Sequence, residues 1–268
     1  MGDEEKDWDR SFSGVDFSAG WMHRKKEEAL EKVQAAAHNS QSILNATFLI
    51  ETITENDTEQ VKQQVKGGFI KNGEDDYDLH YKTYGGDEGI NVISEYAVID
   101  GEEYDRILFD GEAESEWFQH PEPSDLNFSY LTVFFENSLT VSDIEKVEVS
   151  ETTEYKQYTF VMSETYNERL KSENVKAVAD SIEFMTENDM DAEIIDKMEE
   201  QLQINQNTNF QQQQVIYQVN EEDFLINVNY HSTIVPPDGQ IFSLTNTSSI
   251  TDYHLSDISQ LIPIIEIE

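Results

Sequence analysis

Alternating carboxylates are the most concentrated group of chemically active side chains in the sequence. Asp110, Glu112, Glu114 and Glu116 fall at every second position, so they would project from one side of an extended segment. Calcium accepts carboxylate oxygens but takes about six to eight of them, which four side chains do not easily supply. We therefore interpret this segment as a solvated acidic strand.

A second acidic spacing matches part of the EF-hand calcium loop. Its ligand positions one, three, five and twelve are filled by Asp189, Asp191, Glu193 and Glu200. However, Ile194 stands where that loop needs its turn glycine, and Ile195 and Met198 fit the apolar stripe of a helix. The sequence therefore predicts a solvated helix face here and not a metal site.

No recognisable nucleophile or zinc motif accompanies these acids. The six histidines show no HExxH pattern, and GxSxG, SxxK and Walker-type phosphate loops do not occur. The absence of cysteine excludes thiol catalysis, thiolate metal sites and a disulfide framework. A carboxylate pair for glycoside hydrolysis could be chosen from 56 acids, but such a choice carries no information. We expect a protein that is not an enzyme and uses no cofactor.

The charge balance limits the classes of partner. The 268 residues carry 17 Lys and Arg against 56 Asp and Glu, a net charge of −39. This charge repels phosphate backbones and anionic membranes, which excludes nucleic acid as a direct partner. Three roles are consistent with this charge: solvation in a salty or alkaline medium, recruitment of cations, and docking on a basic partner. The scatter of the acids along the sequence favours solvation. No apolar run approaches the roughly 20 residues of a membrane helix, so we expect membrane contact only through an anchor outside this sequence.

Aromatic side chains on predicted strands are candidates for the wall of a ligand site. They are Tyr77, Tyr81, Tyr96, Tyr104, Phe109 and Trp117. Such residues more often belong to the core, but helices that cover one side of an antiparallel sheet can leave an apolar cavity between the layers. Tyr81, Tyr96 and Trp117 are predicted to line a cavity of this kind and to bind an apolar ligand.

Strand patterns on both sides of a helical region would position these side chains. Apolar residues recur at helical spacing in Trp21–His38 and in Glu173–Gln203, and the second stretch is predicted to break into two helices near Asn188. Leu126–Phe135 fits either a short buried helix or a strand. Asp100-Gly101 predicts a hairpin turn, because glycine accepts a positive φ. Period-two alternation and flanking turns predict strands over residues 44–50, 77–81, 90–99, 104–109, 155–163, 214–219, 224–230 and 240–251.

These elements predict one α+β domain, a curved antiparallel sheet covered by helices. Strands that follow one another through short turns pair with their chain neighbours, and helices cover one face of the sheet. Residues 1–20 are expected to form a polar tether, residues 21–258 the domain, and residues 259–268 a C-terminal tail.

A longer order of motifs runs from about Trp21 to Asp257. It comprises KEEALEKVQAA over residues 26–36, ATFLI over 46–50, IDGEEY over 99–104 and EWF over 116–118. In this order the chain resembles mature LolA-like lipoproteins of Gram-positive bacteria. The resemblance implies an incomplete β-barrel closed by helices, which holds acyl chains or apolar peptide segments. It also implies an extracellular protein anchored at the cell surface, although the acylated cysteine of such lipoproteins is absent from this sequence.

The leading hypothesis is therefore an extracytoplasmic binding or carrier module that holds a lipid, acyl chain or peptide segment between sheet and helices. Its partners would be a lipid or a lipoprotein acyl chain, or a protein. The alternative is a structural or signalling surface protein with a filled core and an acidic exterior that docks on a partner. A hydrolase without a recognisable motif is the third hypothesis.

Overall fold

The computed structural model describes residues 17–73, 76–85, 91–109, 112–113, 116–121, 129–187, 190, 192–259, 261–263 and 265. The first half contains helix α1 (Phe17–Ser40) and strands β1 (Asn45–Glu55), β2 (Gln60–Lys71), β3 (Tyr77–Gly85), β4 (Asn91–Ile99), β5 (Glu102–Phe109), β6 (Glu112–Ala113) and β7 (Phe118–Gln119). The second half contains α2 (Ser129–Phe135), β8 (Ile144–Glu151), β9 (Tyr155–Met162), α3 (Glu164–Glu187), α4 (Ala192–Asn207), β10 (Asn209–Asn220), β11 (Leu225–Val235) and β12 (Phe242–Tyr253).

All twelve of these strands join one antiparallel sheet. Its order is β6-β5-β4-β3-β2-β1-β12-β11-β10-β9-β8, and β7 also pairs with β5. The pairing of β1 with β12 joins the two strand groups, with Ala46 opposite Tyr253. The predicted antiparallel pairing of chain neighbours is confirmed. Among the described strands, β6 and β8 remain at opposite ends, so the sheet is open and not closed into a barrel. The resemblance implied an incomplete β-barrel, of which the open antiparallel sheet is the part that the structure shows.

Local sequence signals account for several boundaries. Asp100 and Gly101 adopt φ values of 52° and 79° between β4 and β5, as the predicted hairpin turn requires. The ambiguous segment Leu126–Phe135 contains α2, a helix of 7 residues. The predicted pair of helices is present as α3 and α4, although α3 begins at Glu164, well before the predicted start.

Helices α1, α2 and α3 contact one face of the sheet, which we call the inner face; the opposite face is the outer face. Under α1, the side chains of Val33 and Phe160 are fully buried in a first hydrophobic cluster. Under α2, Phe69, Leu79 and Phe134 are fully buried in a second cluster. Burial of each such side chain contributes about 1.5–3 kcal/mol to stability, so these two clusters account for much of the attachment between layers.

Helix α1 docks closely because its inward stripe is rich in small residues. Ala29, Val33, Ala36 and Ala37 are all at most 4% exposed. At its end the Ser40 hydroxyl donates to the Ala36 carbonyl (2.9 Å) and accepts from the backbone N–H of Leu225 (2.8 Å). The helix begins at Phe17, within the stretch predicted to be a tether. Residues 1–16 of that tether lie outside the described part of the chain.

Two strands were not predicted. Strand β2 contains Gly67-Gly68 and several Lys and Gln residues, which obscure its alternation. Strand β8, IEKVEVSE, has only two buried positions, Ile144 and Val147, and otherwise presents exposed polar residues with Val149. Within the predicted C-terminal tail, Leu261 is buried, and its side chain approaches Gly68 on the outer face.

Helices α3 and α4 form a hairpin that contacts the sheet mainly through α3. The principal partners of α3 are α4, β10 and the short turn Val141–Asp143, whereas α4 packs mainly on α3 and has no buried residue. Within the predicted helical region Glu173–Gln203, the α3 part therefore belongs to the helix that contacts the sheet, whereas α4 lies on α3. None of the described helices has the length and apolarity needed to cross a membrane.

Candidate functional site

Two pockets on the inner face flank helix α2. Each has a volume of about 290 Å3. Leu131, Phe134 and Phe135 anchor α2 in the second hydrophobic cluster. Val133 projects between them, lines both pockets and packs against both clusters. One short helix thus divides the space that remains between the layers.

The first pocket, which we call the tyrosine pocket, lies between α2, α3 and strands β10 and β11. Its apolar and aromatic lining is Val133, Leu139, Tyr166, Leu170, Val215, Tyr217, Val228 and Tyr230. Burial raises the pKa of Tyr230 to about 12 and also raises the pKa values of Tyr166 and Tyr217. The three phenols are therefore neutral at physiological pH, and this wall is compatible with an apolar ligand.

Charged side chains are confined to the rim of the tyrosine pocket, at Glu136, Arg169 and Glu173. Arg169 is held in place from two sides. Its Nη2 lies 3.2 Å from Oδ2 of Asp143, and its guanidinium carbon lies 5.3 Å from the ring centre of Tyr166. Asp143 in turn accepts a 2.7 Å hydrogen bond from the backbone N–H of Thr140. The rim thus presents an oriented cation beside two carboxylates.

The second pocket, which we call the strand pocket, lies on the other side of α2 above β1, β2, β3 and β12. Its lining is half apolar and half polar: Ile50, Val65, Tyr130 and Val133, then Thr52, Gln63, Thr83, Asn246 and Ser248. The Asn246 amide donates to the Thr52 hydroxyl at 2.9 Å. This pocket can therefore contact both an apolar chain and a hydrogen-bonding group.

Two of the three aromatic residues predicted to bind a ligand lie beside the strand pocket. The rings of Tyr81 and Tyr96 stack with centres 5.1 Å apart, and Tyr130 meets Tyr81 edge-on at the same separation. Burial is the main cause that raises the pKa of Tyr81, and the nearby Tyr130 raises it further. Tyr81 and Tyr96 thus support Tyr130, which itself lines the pocket.

Trp117, the third predicted residue, lies on the outer face. Its ring lies 4.5 Å from the guanidinium carbon of Arg106. Arg106 stands opposite Glu95 in the β4–β5 pairing, and Glu95 precedes the inward-facing Tyr96. Because successive strand residues face opposite sides of a sheet, Arg106 and Trp117 are separated from Tyr81 and Tyr96 by the sheet itself. A ligand-binding role for these three residues stays a prediction, but one inner-face site does not contain them all.

Glu95 is the centre of a charged cluster on that outer face. It is only 2% exposed. Its carboxylate oxygens lie 2.7 Å from His80 Nε2, 2.8 Å from Arg106 Nε and 3.3 Å from Lys82 Nζ. Burial opposes ionisation, but the hydrogen bonds of His80 and Arg106 and the charge of Lys82 outweigh it and lower the pKa of Glu95 to about 2. The carboxylate is therefore fully compensated, which is typical of a structural cluster.

A wider cleft of about 640 Å3 lies between the β1–β2 turn and the β11–β12 turn. Its lining is mostly polar, with Asp57 and Asp238 on opposite sides and Ile241 as its large apolar residue. This composition does not suit an apolar ligand.

Within the described ranges, no group of three or more His, Asp or Glu side chains is arranged to hold a metal ion. Asp110, Glu114, Asp189 and Asp191 of the two acidic patterns lie outside those ranges.

The residues that line the tyrosine pocket were not singled out from the sequence. The signal was present, because alternation in two predicted strands places Val215 with Tyr217, and Val228 with Tyr230, on the same faces. The sequence did not show that Val133 lines both pockets, because the segment containing Val133 fitted a helix and a strand equally.

No protein-family model and no curated protein sequence matches this chain. Among solved structures, LprF from Mycobacterium bovis is 8% identical, with 88% of this chain and 98% of that chain covered and a TM-score of 0.40. A putative outer membrane lipoprotein-sorting protein domain from Vibrio parahaemolyticus is 7% identical, with 87% and 94% covered and a TM-score of 0.27. A DUF1329 family protein from Desulfovibrio piger is 9% identical, with 87% and 95% covered and a TM-score of 0.28. At these TM-scores the likenesses carry no argument about a ligand or mechanism.

Proposed function

We propose that this protein is a non-catalytic binding module that holds an apolar ligand, such as an acyl chain, at the inner face of its sheet. The observation that supports this proposal is the position of Val133. It separates two pockets of about 290 Å3 each, at the lower end of the roughly 300–1,000 Å3 of small-molecule sites. A ligand that takes the place of this side chain would contact both pockets.

The chemistry of the two pockets fits a ligand with an apolar chain and a polar end. The tyrosine pocket offers aliphatic and neutral phenolic surfaces, and its charges remain at the rim. The strand pocket adds hydroxyl and amide groups from Thr52, Thr83 and Asn246. Burial of apolar ligand surface contributes about 25 cal/mol per Å2, so one acyl chain gains several kcal/mol. We further propose that the protein acts outside the cytoplasm, where such a module would carry or sense lipid.

Binding of a fatty acid labelled with an anthroyloxy fluorophore tests this function. The unmodified protein should bind the probe at one site. Val133→Trp should weaken binding about tenfold or more, because the larger ring fills the junction of the two pockets. Ile216→Trp is the matched control: its chain neighbours Val215 and Tyr217 line the tyrosine pocket, so Ile216 faces the outer side.

Folding must be measured beside binding, because overpacking near a core costs about 1–3 kcal/mol. If Val133→Trp does not fold, Leu170→Trp on the partly exposed wall of the tyrosine pocket replaces it. The proposal fails if the unmodified protein does not bind the probe, or if folded pocket variants bind it as well as Ile216→Trp does. Either result would favour the alternative, a surface protein with a filled core.

A further inference from the structure

The free end of the α3–α4 hairpin exposes several large apolar side chains. Phe184, Met190 and Ile194 are 63%, 42% and 43% exposed, respectively. We call the described residues 176–186, 190 and 192–200 the hairpin tip. Single exposed apolar side chains are ordinary on protein surfaces, but a group of them in one short segment indicates an interaction surface.

The hairpin tip is also strongly acidic. Its two basic residues, Lys176 and Lys197, are both engaged within their own helices, by Asp180 and Glu193. Among its described side chains, six are acidic: Asp180, Glu183, Glu193, Asp196, Glu199 and Glu200. The electrostatic field around the apolar side chains is therefore negative, which selects a partner of positive charge.

The hairpin has little core of its own. Large apolar side chains of both helices, such as Ile182, Ile195, Met198 and Leu202, are only partly buried, and α4 has no buried residue. Helices in proteins derive most of their stability from packing of an apolar face. A third helix laid along the pair would bury these side chains and would complete a small bundle.

We propose that the hairpin tip docks a cationic amphipathic helix of a partner protein. The apolar face of that helix would cover Phe184, Met190 and Ile194, and its Lys and Arg residues would face the surrounding carboxylates. A symmetric pairing of two copies through this tip does not fit, because two acidic tips repel each other, and an anionic lipid surface is repelled for the same reason. This surface is separate from the inner-face pockets and does not depend on the function proposed for them.

A labelled synthetic helix of about 18 residues, built from Lys and Leu at amphipathic spacing, is the probe for this surface. Fluorescence anisotropy should show saturable binding that weakens as salt is added. Two further peptides test the chemistry: a scrambled isomer with no apolar face, and a counterpart with Glu in place of Lys. Each should bind at least about tenfold more weakly. Equal binding of the scrambled isomer would overturn the proposal, because it would show non-specific attraction to an acidic protein.

Paired variants locate the binding surface. Phe184→Gln combined with Ile194→Gln removes apolar contact, and Glu183→Lys combined with Asp196→Lys reverses charge. Each pair should weaken peptide binding about tenfold or more, with the melting temperature little changed because all four side chains are exposed.

Matched controls lie elsewhere on the chain. Ile241→Gln removes an apolar side chain that is 62% exposed between β11 and β12. Glu145→Lys with Glu151→Lys reverses two exposed charges on β8. These controls should leave peptide binding within about twofold, since the charge reversals change a net charge of −39 only to −35 and weaken long-range attraction only slightly. Binding that resists the hairpin variants, or that the labelled fatty acid displaces, would place the peptide elsewhere and overturn the proposal.

Discussion

At the scale of single residues, the clearest energetic feature is the buried carboxylate of Glu95. The lowering of its pKa from 4.5 to about 2 means that the folded state favours the ionised form. A group with a depressed folded pKa contributes stability above its unfolded pKa and loses it as pH falls towards the folded value. The contribution is about 3 kcal/mol at neutral pH and declines between about pH 4.5 and pH 2.

Glu95→Gln should therefore lower the free energy of unfolding by about 3 kcal/mol at pH 7, but by only about 1 kcal/mol at pH 3. The reason is that in the unmodified protein the unfolded carboxyl is already protonated at pH 3. Urea unfolding at the two pH values measures the difference. Glu145→Gln, at an exposed position on β8, should change little at either pH. An equal loss for Glu95→Gln at both pH values would contradict the electrostatic account and indicate a packing defect.

Trp117 shows what sequence reasoning omits at this scale. The residue type and its nearness to strand β5 were evident, but the face it occupies depends on how 110–117 connects β5 to β7. An alternation pattern fixes which residues share a face only within one strand. The same limitation did not affect Tyr81 and Tyr96, because the pairing of β3 with β4 aligns them directly.

At the scale of elements, strand β2 depends on a glycine that sequence reasoning overlooked. A Cβ atom at Gly67 would lie 2.2 Å from the backbone oxygen of His80 and 2.8 Å from the ring of Phe48. Glycine at this position lets the Phe48 ring lie across the strand and lets β3 approach. The residue that disguised the strand in the sequence is therefore one that the packing requires.

Gly67→Ala should destabilise the protein by about 3 kcal/mol or more, because the conflicting atom belongs to the backbone of a paired strand and cannot move alone. Gly68→Ala is the neighbouring control. Its added Cβ would lie 2.8 Å from a terminal methyl carbon of Leu261, which can rotate away, and 3.2 Å from the backbone oxygen of Ala46, a much milder conflict than the 2.2 Å contact at Gly67. Its cost should therefore be smaller, about 1 kcal/mol. Thermal unfolding of both variants measures the two losses of stability. Equal losses would contradict the prediction that Gly67→Ala is the more destabilising substitution.

Elements defined by local chemistry were predicted well, and those defined by tertiary packing were not. The Asp100-Gly101 turn follows from backbone preference, and the α1 stripe from helical spacing, so both were predictable from short windows. The seven residues of α2 could not be assigned, because a short apolar run fits a helix or a strand equally. Since α2 contains Val133, the pockets could not be placed either.

At the scale of the whole molecule, the net charge of −39 is not spread evenly over the sheet. Strands β10, β11 and β12 contain a single charged residue, Asp252. The acids therefore concentrate in the helices, the turns and the remaining strands. This arrangement keeps the strands beneath the tyrosine pocket uncharged and leaves the hairpin tip strongly negative.

Repulsion among these peripheral acids leads to the last prediction, that potassium chloride stabilises the protein. Raising its concentration from about 0.05 M to about 1 M shortens the Debye length from roughly 14 Å to 3 Å, which screens the acids from one another. The melting temperature should rise by about 3–8 °C, equivalent to about 2 kcal/mol. The double variant Glu199→Gln and Glu200→Gln should have a higher melting temperature at low salt than the unmodified protein. The increase in its melting temperature on addition of potassium chloride should be smaller. A melting temperature that salt does not raise would show that the acids are locally compensated. A larger rise with millimolar calcium than with potassium chloride of matched ionic strength would instead indicate a specific cation site, because screening alone does not distinguish the two salts at equal ionic strength.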